Sequence, residues 1–277
     1  MSGLKVIAEH PLETVWGKPS DVIVEGQIGA RTVFFLPRHG RGHHLVPSEV
    51  PYRANIAALK SLGATHILAV SAVGIMREDI RPGDLVIPDQ LIDMTKGIRA
   101  HTFYGRGAAG HSLFADPFCS VFRDMLLSAV REQPVTAHDG GTYICIEGPR
   151  FSSRAESRYF RAAMNPSVIG MTAMPEASLA REAGLSYALL GLATDYDCWH
   201  ETEEDVSVDA VLEVLKSNSV CAQAMVRAVS ALLAPDSPRP FDDAHVQATI
   251  TPEESMLPEA RQMLAELFSH TYSADSV

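Results

Sequence analysis

The run Tyr187-Ala-Leu-Leu-Gly-Leu-Ala193 contains no charged side chain and no alternation of polar with apolar residues. A strand of that pattern must be covered on both faces, which is the situation of a parallel strand between two layers of helices. Thr194-Asp-Tyr-Asp-Cys-Trp-His200 follows at once, so two carboxylates, Asp195 and Asp197, stand where the strand ends. In open α/β sheets, ligands collect beyond the carboxyl ends of strands. If the chain stays extended through them, the two acids face the same way. Beside Tyr196 and Trp199 they suit a flat heterocycle rich in N–H groups, and one of them kept protonated could donate to a ring nitrogen. A strand end carrying two solvated acids fits the same spacing.

Other segments repeat the strand-then-helix order. Val22 to Val24 and Arg31 to Leu36 read as short strands around a turn at Gly29. Thr65 to Ser71, Asp84 to Pro88, Thr142 to Ile146 and Ser167 to Met171 read as further strands. Helices are expected over Tyr52 to Leu62 and Pro117 to Val130. Another should follow Ser153, whose partner Glu156 completes a capping box, and another runs from Pro175 to about Gly184. Ser207 can cap a long helix from Val208 to about Leu233. The expected fold is therefore α/β, a mixed, largely parallel twisted sheet flanked by helices. Residues 1–234 form the main domain. A proline-rich linker from Pro235 then leads to an amphipathic helix, Pro258 to Phe268, within 235–277, which must pack on its own domain or on a neighbour.

Two loops stand out. Pro37-Arg-His-Gly-Arg-Gly-His-His44 carries arginines and histidines directly after a strand. Its glycines spoil any single-face spacing for a metal, whereas Arg38 and His39 can offer charge-assisted donors to an anion. Small residues in Ser71-Ala-Val-Gly74 would let a ligand approach the backbone, although a plain strand-to-loop turn explains them equally. With 34 acidic against 23 basic residues and a net charge of −11, a nucleic-acid-wrapping surface is not expected. The four cysteines have no metal-ligand spacing and suit a reducing cytoplasm. No basic-then-apolar leader and no long apolar run is present, so neither secretion nor a membrane partner is expected.

Longer runs resemble the trimeric purine nucleoside phosphorylase family, in its methylthioadenosine-cleaving branch. They are Trp16-Gly-Lys-Pro-Ser-Asp21, Arg38-His-Gly40, Tyr52-Arg-Ala-Asn-Ile56 and Arg77-Glu-Asp-Ile-Arg-Pro-Gly-Asp84. Glu147-Gly-Pro-Arg-Phe-Ser-Ser-Arg-Ala-Glu-Ser157, Met171-Thr-Ala-Met-Pro-Glu176, Ala193-Thr-Asp-Tyr-Asp-Cys-Trp199 and Val206-Ser-Val-Asp-Ala-Val-Leu212 extend the match. The Glu-Gly-Pro-Arg-Phe and Thr-Asp-Tyr-Asp-Cys-Trp runs are the most specific.

The resemblance implies attack of phosphate on the sugar C1′ of 5′-methylthioadenosine, giving adenine and 5-methylthioribose 1-phosphate. It implies phosphate contacts from Ser2, Arg38, His39, Ser71, Ala72 and Thr172, and base contacts from Phe151, Ser152, Asp195 and Asp197. Asp195 is the implied catalytic donor to purine N7, and Met171 a ribose contact. Val208, Val211 and Leu212 would form the apolar 5′ pocket, together with His111 from the neighbouring subunit of a homotrimer. No metal or organic cofactor is implied, phosphate being a co-substrate. One departure stands out: the family opens with a strand and a Gly-Gly-Ser/Thr-Gly turn, of which only Ser2-Gly3-Leu4 corresponds to the end. The alternatives are therefore another purine nucleoside or 5′-deoxyadenosine phosphorylase, a nucleosidase using water, or a non-catalytic nucleoside binder.

Overall fold

The computed structural model describes residues 4–200 and 208–268, those of 208–219 by their backbone alone. Three antiparallel strands come first: β1 (Lys5–His10), β2 (Ile23–Ile28) and β3 (Arg31–Phe35). The β2–β3 turn places Gly29 at φ +58°, a left-handed conformation that glycine adopts without strain. Next come α1 (Tyr52–Ser61), β4 (His66–Ile75), β5 (Leu85–Ile87), β6 (Gln90–Met94), α2 (Ser120–Val130), β7 (Ala137–Asp139) and β8 (Thr142–Ile146). The chain continues through α3 (Arg154–Met164), β9 (Val168–Gly170), α4 (Ala173–Glu182), β10 (Ser186–Asp195) and α5 (Val208–Leu232). It ends with α6 (Ala244–Ala248), a 3-10 turn at Glu253–Ser255, and α7 (Pro258–Leu267).

Strands β4 to β10 form one sheet in the order β6-β8-β9-β4-β10-β5-β7. Parallel pairs join β6 to β8, β8 to β9, β4 to β10 and β5 to β7, while β4–β9 and β10–β5 are antiparallel. The sheet is thus mixed and largely parallel, as the strand patterns predict. Its spine is β10 against β4, in register from Ser186 opposite His66 to Ala193 opposite Val73.

Alternation along β10 explains the two helical layers. Leu185, Tyr187, Leu189 and Ala193 join one core cluster with Ile56 and Ala57 of α1 and Ala177 and Ala180 of α4. Ala188, Leu190 and Leu192 point the other way, onto Phe122 and Leu126 of α2 and Met225 and Val229 of α5. Successive side chains leave a strand on opposite faces, so an unbroken apolar run needs cover on both sides. α7 packs with Ala260, Leu264, Leu267 and Phe268 in the first of these clusters, beside the main domain's own core. The Phe268 ring stacks on His245 of α6 at 4.0 Å.

The structure adds elements that the sequence patterns miss. β1 occupies a start for which no strand is expected; β6 lies just ahead of the Gly97–Gly110 loop, and α6 sits after the proline-rich linker. β4 runs on to Ile75, four residues beyond the expected end at Ser71. The capping box at α3 is present: Ser153 accepts the Glu156 amide, and Glu156 accepts the Ser153 amide. Ser207, the expected cap of α5, lies outside the described residues. All four cysteines are free thiols. Among the described residues, no helix is long and apolar enough to cross a membrane.

Because Leu190 is wholly buried between β10 and the α2–α5 layer, Leu190→Ala is expected to lower unfolding stability by roughly 2–5 kcal/mol. Chemical denaturation checks this, with the exposed Leu113→Ala as a control expected to stay within about 0.5 kcal/mol of the parent.

Candidate active site

Strand direction brings the candidate residues together. β9 runs antiparallel to β4, with Ile169 opposite Gly74, so the chain beyond Gly170 travels back along β4 toward Ser71. The Ser71 and Thr172 hydroxyls consequently meet at 3.3 Å. Ser71 and Ala72 therefore lie in the middle of β4 and not beyond its end, because this strand continues past them.

Thr172 leads into α4, and one turn on, Glu176 holds Arg38 side-on, accepting Nε at 2.6 Å and Nη2 at 3.0 Å. The same carboxylate accepts the Tyr187 hydroxyl at 2.8 Å. Burial works against the Arg38 cation, but the Glu176 charge beside it raises its pKa above the ordinary value. Held this way, the Nη1 end of the fork is left for an anion. His39, next in the chain, has its Nδ1 2.9 Å from the Leu45 carbonyl. A carbonyl only accepts, so Nδ1 carries the hydrogen and Nε2 is the open acceptor. Burial lowers the His39 pKa, and the Arg38 and His43 charges add to that, favouring the neutral ring. His39 stacks on His43 at 4.3 Å. Among the described residues, no group of three or more His, Cys, Asp or Glu could hold a metal ion.

Asp195 closes β10, and Asp197 follows at φ +51°. The expectation that an extended chain aligns the two acids is corrected here: β10 ends at Asp195, and the left-handed residue folds Asp197 back. The Asp197 amide then donates to Asp195 Oδ1 at 2.9 Å. Both pKa values are raised, first by burial and, for Asp195, also by the neighbouring Asp197 charge. The Ser157 and Ser152 hydroxyls make no hydrogen bond of ordinary geometry, yet they sit close enough to Asp197 to oppose that rise. Two solvated acids at a strand end are therefore excluded, Asp197 being only 4% exposed. Trp199 fastens the turn by donating from Nε1 to the Ile75 carbonyl at 2.7 Å, with the Arg161 guanidinium 3.3 Å over its ring.

The loop from Glu147 to Ser152 forms the third wall. The Ser152 carbonyl accepts the Cys198 thiol at 3.3 Å, which ties this loop to the acidic turn. Phe151 stays 38% exposed at the rim. Arg99, which the sequence patterns miss, binds the walls to each other. It donates to Glu147 Oε1 at 2.6 Å and to the Glu147, Met171 and Met174 carbonyls at 2.6, 2.7 and 2.5 Å. Glu147 also accepts from Ser48 and from the Lys96 amide, and these bonds outweigh burial to lower its pKa. Glu147 and Glu176 lie in the motif runs of the sequence, but Arg99 has no local signal because its partners lie far along the chain.

His111 is not brought to Asp195 within the chain. It lies exposed by a separate cavity of about 550 Å³ beside Met174 and Glu182, its amide donating to the Ala248 carbonyl at 2.8 Å. Ser2 and the side chains of Val208, Val211 and Leu212 lie outside the described residues. A cavity of about 1030 Å³ runs between β3 and β4, reaching Arg38 and His39.

The profile of a family described as "Phosphorylase superfamily" matches residues 2–233. An S-methyl-5′-thioadenosine phosphorylase of Geobacter sulfurreducens is 48% identical over 264 residues, covering 95% of this chain and 92% of that one. One from Chloroflexus aurantiacus is 44% identical over 273 residues, covering 99% and 94%. Among solved structures, a methylthioadenosine phosphorylase from an antarctic soil metagenomic library superposes with a TM-score of 0.91 at 48% identity, covering 96% and 94%. A Schistosoma mansoni methylthioadenosine phosphorylase in complex with adenine gives 0.84 at 40% identity, covering 89% and 94%.

The Glu176 carboxylate serves two buried partners, so Glu176→Ala strands the Arg38 charge and the Tyr187 hydroxyl together. A loss of roughly 3–5 kcal/mol in unfolding stability is expected, by the usual cost of breaking a buried pair from one side. Glu176→Gln, which keeps an acceptor, should lose less in the same denaturation measurement.

Proposed function

The chain belongs to the phosphorylase superfamily, and on that premise we propose that it cleaves 5′-methylthioadenosine with phosphate, releasing adenine and 5-methylthioribose 1-phosphate. As a pentosyltransferase it breaks the C1′–N9 bond, whose electron pair leaves with the base, and joins a phosphate oxygen to C1′. The observation that carries this reading is the buried Asp195–Asp197 pair at the end of β10, together with Arg38 held by Glu176 with one end of its fork left for an anion. A departing purine gathers negative charge, and a proton placed at N7 by Asp195 lowers the barrier, worth about 10²–10⁴ in rate. Because Asp195 must be protonated to donate, activity falls as pH rises through its raised pKa.

Arg38, His39, Ser71, Ala72 and Thr172 are assigned to phosphate, with Ser2 completing the set; His39 is corrected from the expected charged donor to a neutral ring whose Nε2 accepts from a protonated phosphate oxygen. The uncommitted end of Arg38 and the paired Ser71 and Thr172 hydroxyls support this. Phe151, Ser152 and Asp197 are assigned to the base, and Met171 to the ribose. Asp197 accepts from a 6-amino group and repels a 6-oxo group, which favours adenosine-type substrates. The 5′ pocket is assigned to Val208, Val211 and Leu212, with His111 from the neighbouring subunit. The exposure of His111 away from its own chain's Asp195 agrees with that arrangement. A homotrimer in the cytoplasm follows from this reading, which requires no metal or organic cofactor.

Adenine release measured with and without phosphate tests the activity. Release is expected only with phosphate; release without it supports a nucleosidase, and binding with no release removes the enzyme reading. Asp197→Asn is expected to narrow the preference for adenosine over inosine by about tenfold or more, the worth of one misplaced hydrogen bond to a charged group. An unchanged ratio of kcat/KM values would show that Asp197 does not read the base.

A further inference from the structure

Three oxygens lie in a row behind the acidic turn. The register of β10 on β4 passes from Ala193 opposite Val73 to Asp195 opposite Gly74 and skips Thr194. The Thr194 hydroxyl turns back to the Val73 carbonyl at 3.2 Å, and it also lies 2.6 Å from Asp195 Oδ2. Thr194 is only 5% exposed, so water does little to settle these groups. A hydroxyl carries one hydrogen, and a carbonyl carries none. With Asp195 ionised, one hydrogen must serve both contacts, and one of them stays a bare approach of two acceptors. With a proton on Oδ2 both are satisfied: Asp195 donates to Thr194, and Thr194 donates to Val73. The 2.6 Å distance suits either direction, so the count of hydrogens decides.

We propose that Thr194 is a positioning residue that keeps Asp195 loaded with its proton, accepting from the carboxyl group while donating to the Val73 carbonyl. This rests on the reading of Asp195 as the donor to purine N7. When N7 arrives it replaces Thr194 as the acceptor of that proton. The Thr194 hydrogen then swings from Val73 to Oδ2 and steadies the carboxylate left behind. Over a turnover the proton balances, because phosphate gives one up on becoming an ester and adenine gains one.

The surroundings of Asp195 favour the neutral acid. β4 faces it with Gly74, where a Cβ would come within 3.5 Å of Oδ1, and so offers no charge there. On the turn itself, Asp197 is a second acid, and Cys198 Sγ lies 3.9 Å from Asp197 Oδ2. From α3, Ser157 faces Asp197, and Arg154 spends an Nη1 hydrogen on the Cys198 carbonyl at 3.2 Å. Burial pushes the Asp195 pKa upward, and the Asp197 charge adds to it, against the Asp197 amide that donates to Oδ1 and against the Thr194 hydroxyl whenever it donates to Oδ2.

The two directions of the Thr194–Asp195 bond give opposite signs in one experiment. Removing an acceptor that stabilises the protonated acid lowers the Asp195 pKa; removing a donor that stabilises the carboxylate raises it. In Thr194→Val the alkaline limb of kcat/KM for 5′-methylthioadenosine is expected to move to lower pH by about one pH unit, the worth of one hydrogen bond. Thr194→Ser, which restores the hydroxyl, should return the limb to its parent position. A limb that stays still or moves to higher pH in Thr194→Val overturns the proposal, as does a serine variant that behaves like the valine one. Difference infrared spectroscopy of the parent enzyme, free of substrate, provides a second arm that does not depend on Thr194→Val folding. A protonated-carboxyl band, absent from Asp195→Asn, should vanish over the same pH range as activity, and its absence from the parent overturns the proposal. Full turnover by Asp195→Asn would instead remove the underlying reading of Asp195.

Discussion

The parallel pairing of β10 with β4 is the constraint on which the rest of the site depends. From Ser186 to Ala193 the two strands keep one register, which sets Ser71 opposite Gly191 and leads Asp195 to Gly74, three residues further along β4. Both strands are buried by helices on either side, so neither can slide by a residue without exposing its apolar set to the wrong layer. Where the register slips, at Thr194, the chain leaves the ladder and enters the turn that carries Asp195 and Asp197. The antiparallel return of β9 along β4 brings Thr172, two residues past its end, to Ser71.

Charge holds the loops around this spine. Arg38 with Glu176 and Arg99 with Glu147 are ion pairs with little exposure, and each binds segments that are remote in sequence. Such pairs are seldom efficient sources of stability, since desolvation cancels much of the attraction. Their value here is geometric. Arg99 satisfies three carbonyls at once, those of Glu147, Met171 and Met174, and a longer or shorter side chain would leave buried carbonyls unpartnered.

Much of the fold was legible in the chain because periodicity and caps are local signals. The apolar run into Asp195, the Ser153–Glu156 box and the α1 and α2 patterns all correspond to observed elements. β1 and β6 were not legible, since short strands owe their existence to neighbours found elsewhere in the chain. Asp195 and Asp197 were legible as a pair, but not the means of their convergence: alternation suggested a strand, and a left-handed residue made a turn. Arg99 and Thr194 escaped notice for one reason. Their partners, among them Glu147 and Val73, are separated from them by 48 and 121 positions.

Gly170 sits beneath the Tyr143 hydroxyl so closely that any Cβ there would fall 1.9 Å from it. Tyr143 is itself fully buried between β6 and β9. Position 170 is therefore closed to gradual change, since even the smallest side chain would collide with a buried ring. Phe151, standing at the rim with space around it, has no such restriction. A lineage of such proteins can vary the rim through Phe151 while the Gly170–Tyr143 contact beside Thr172 stays locked, so its evolvability is confined to one side of the site.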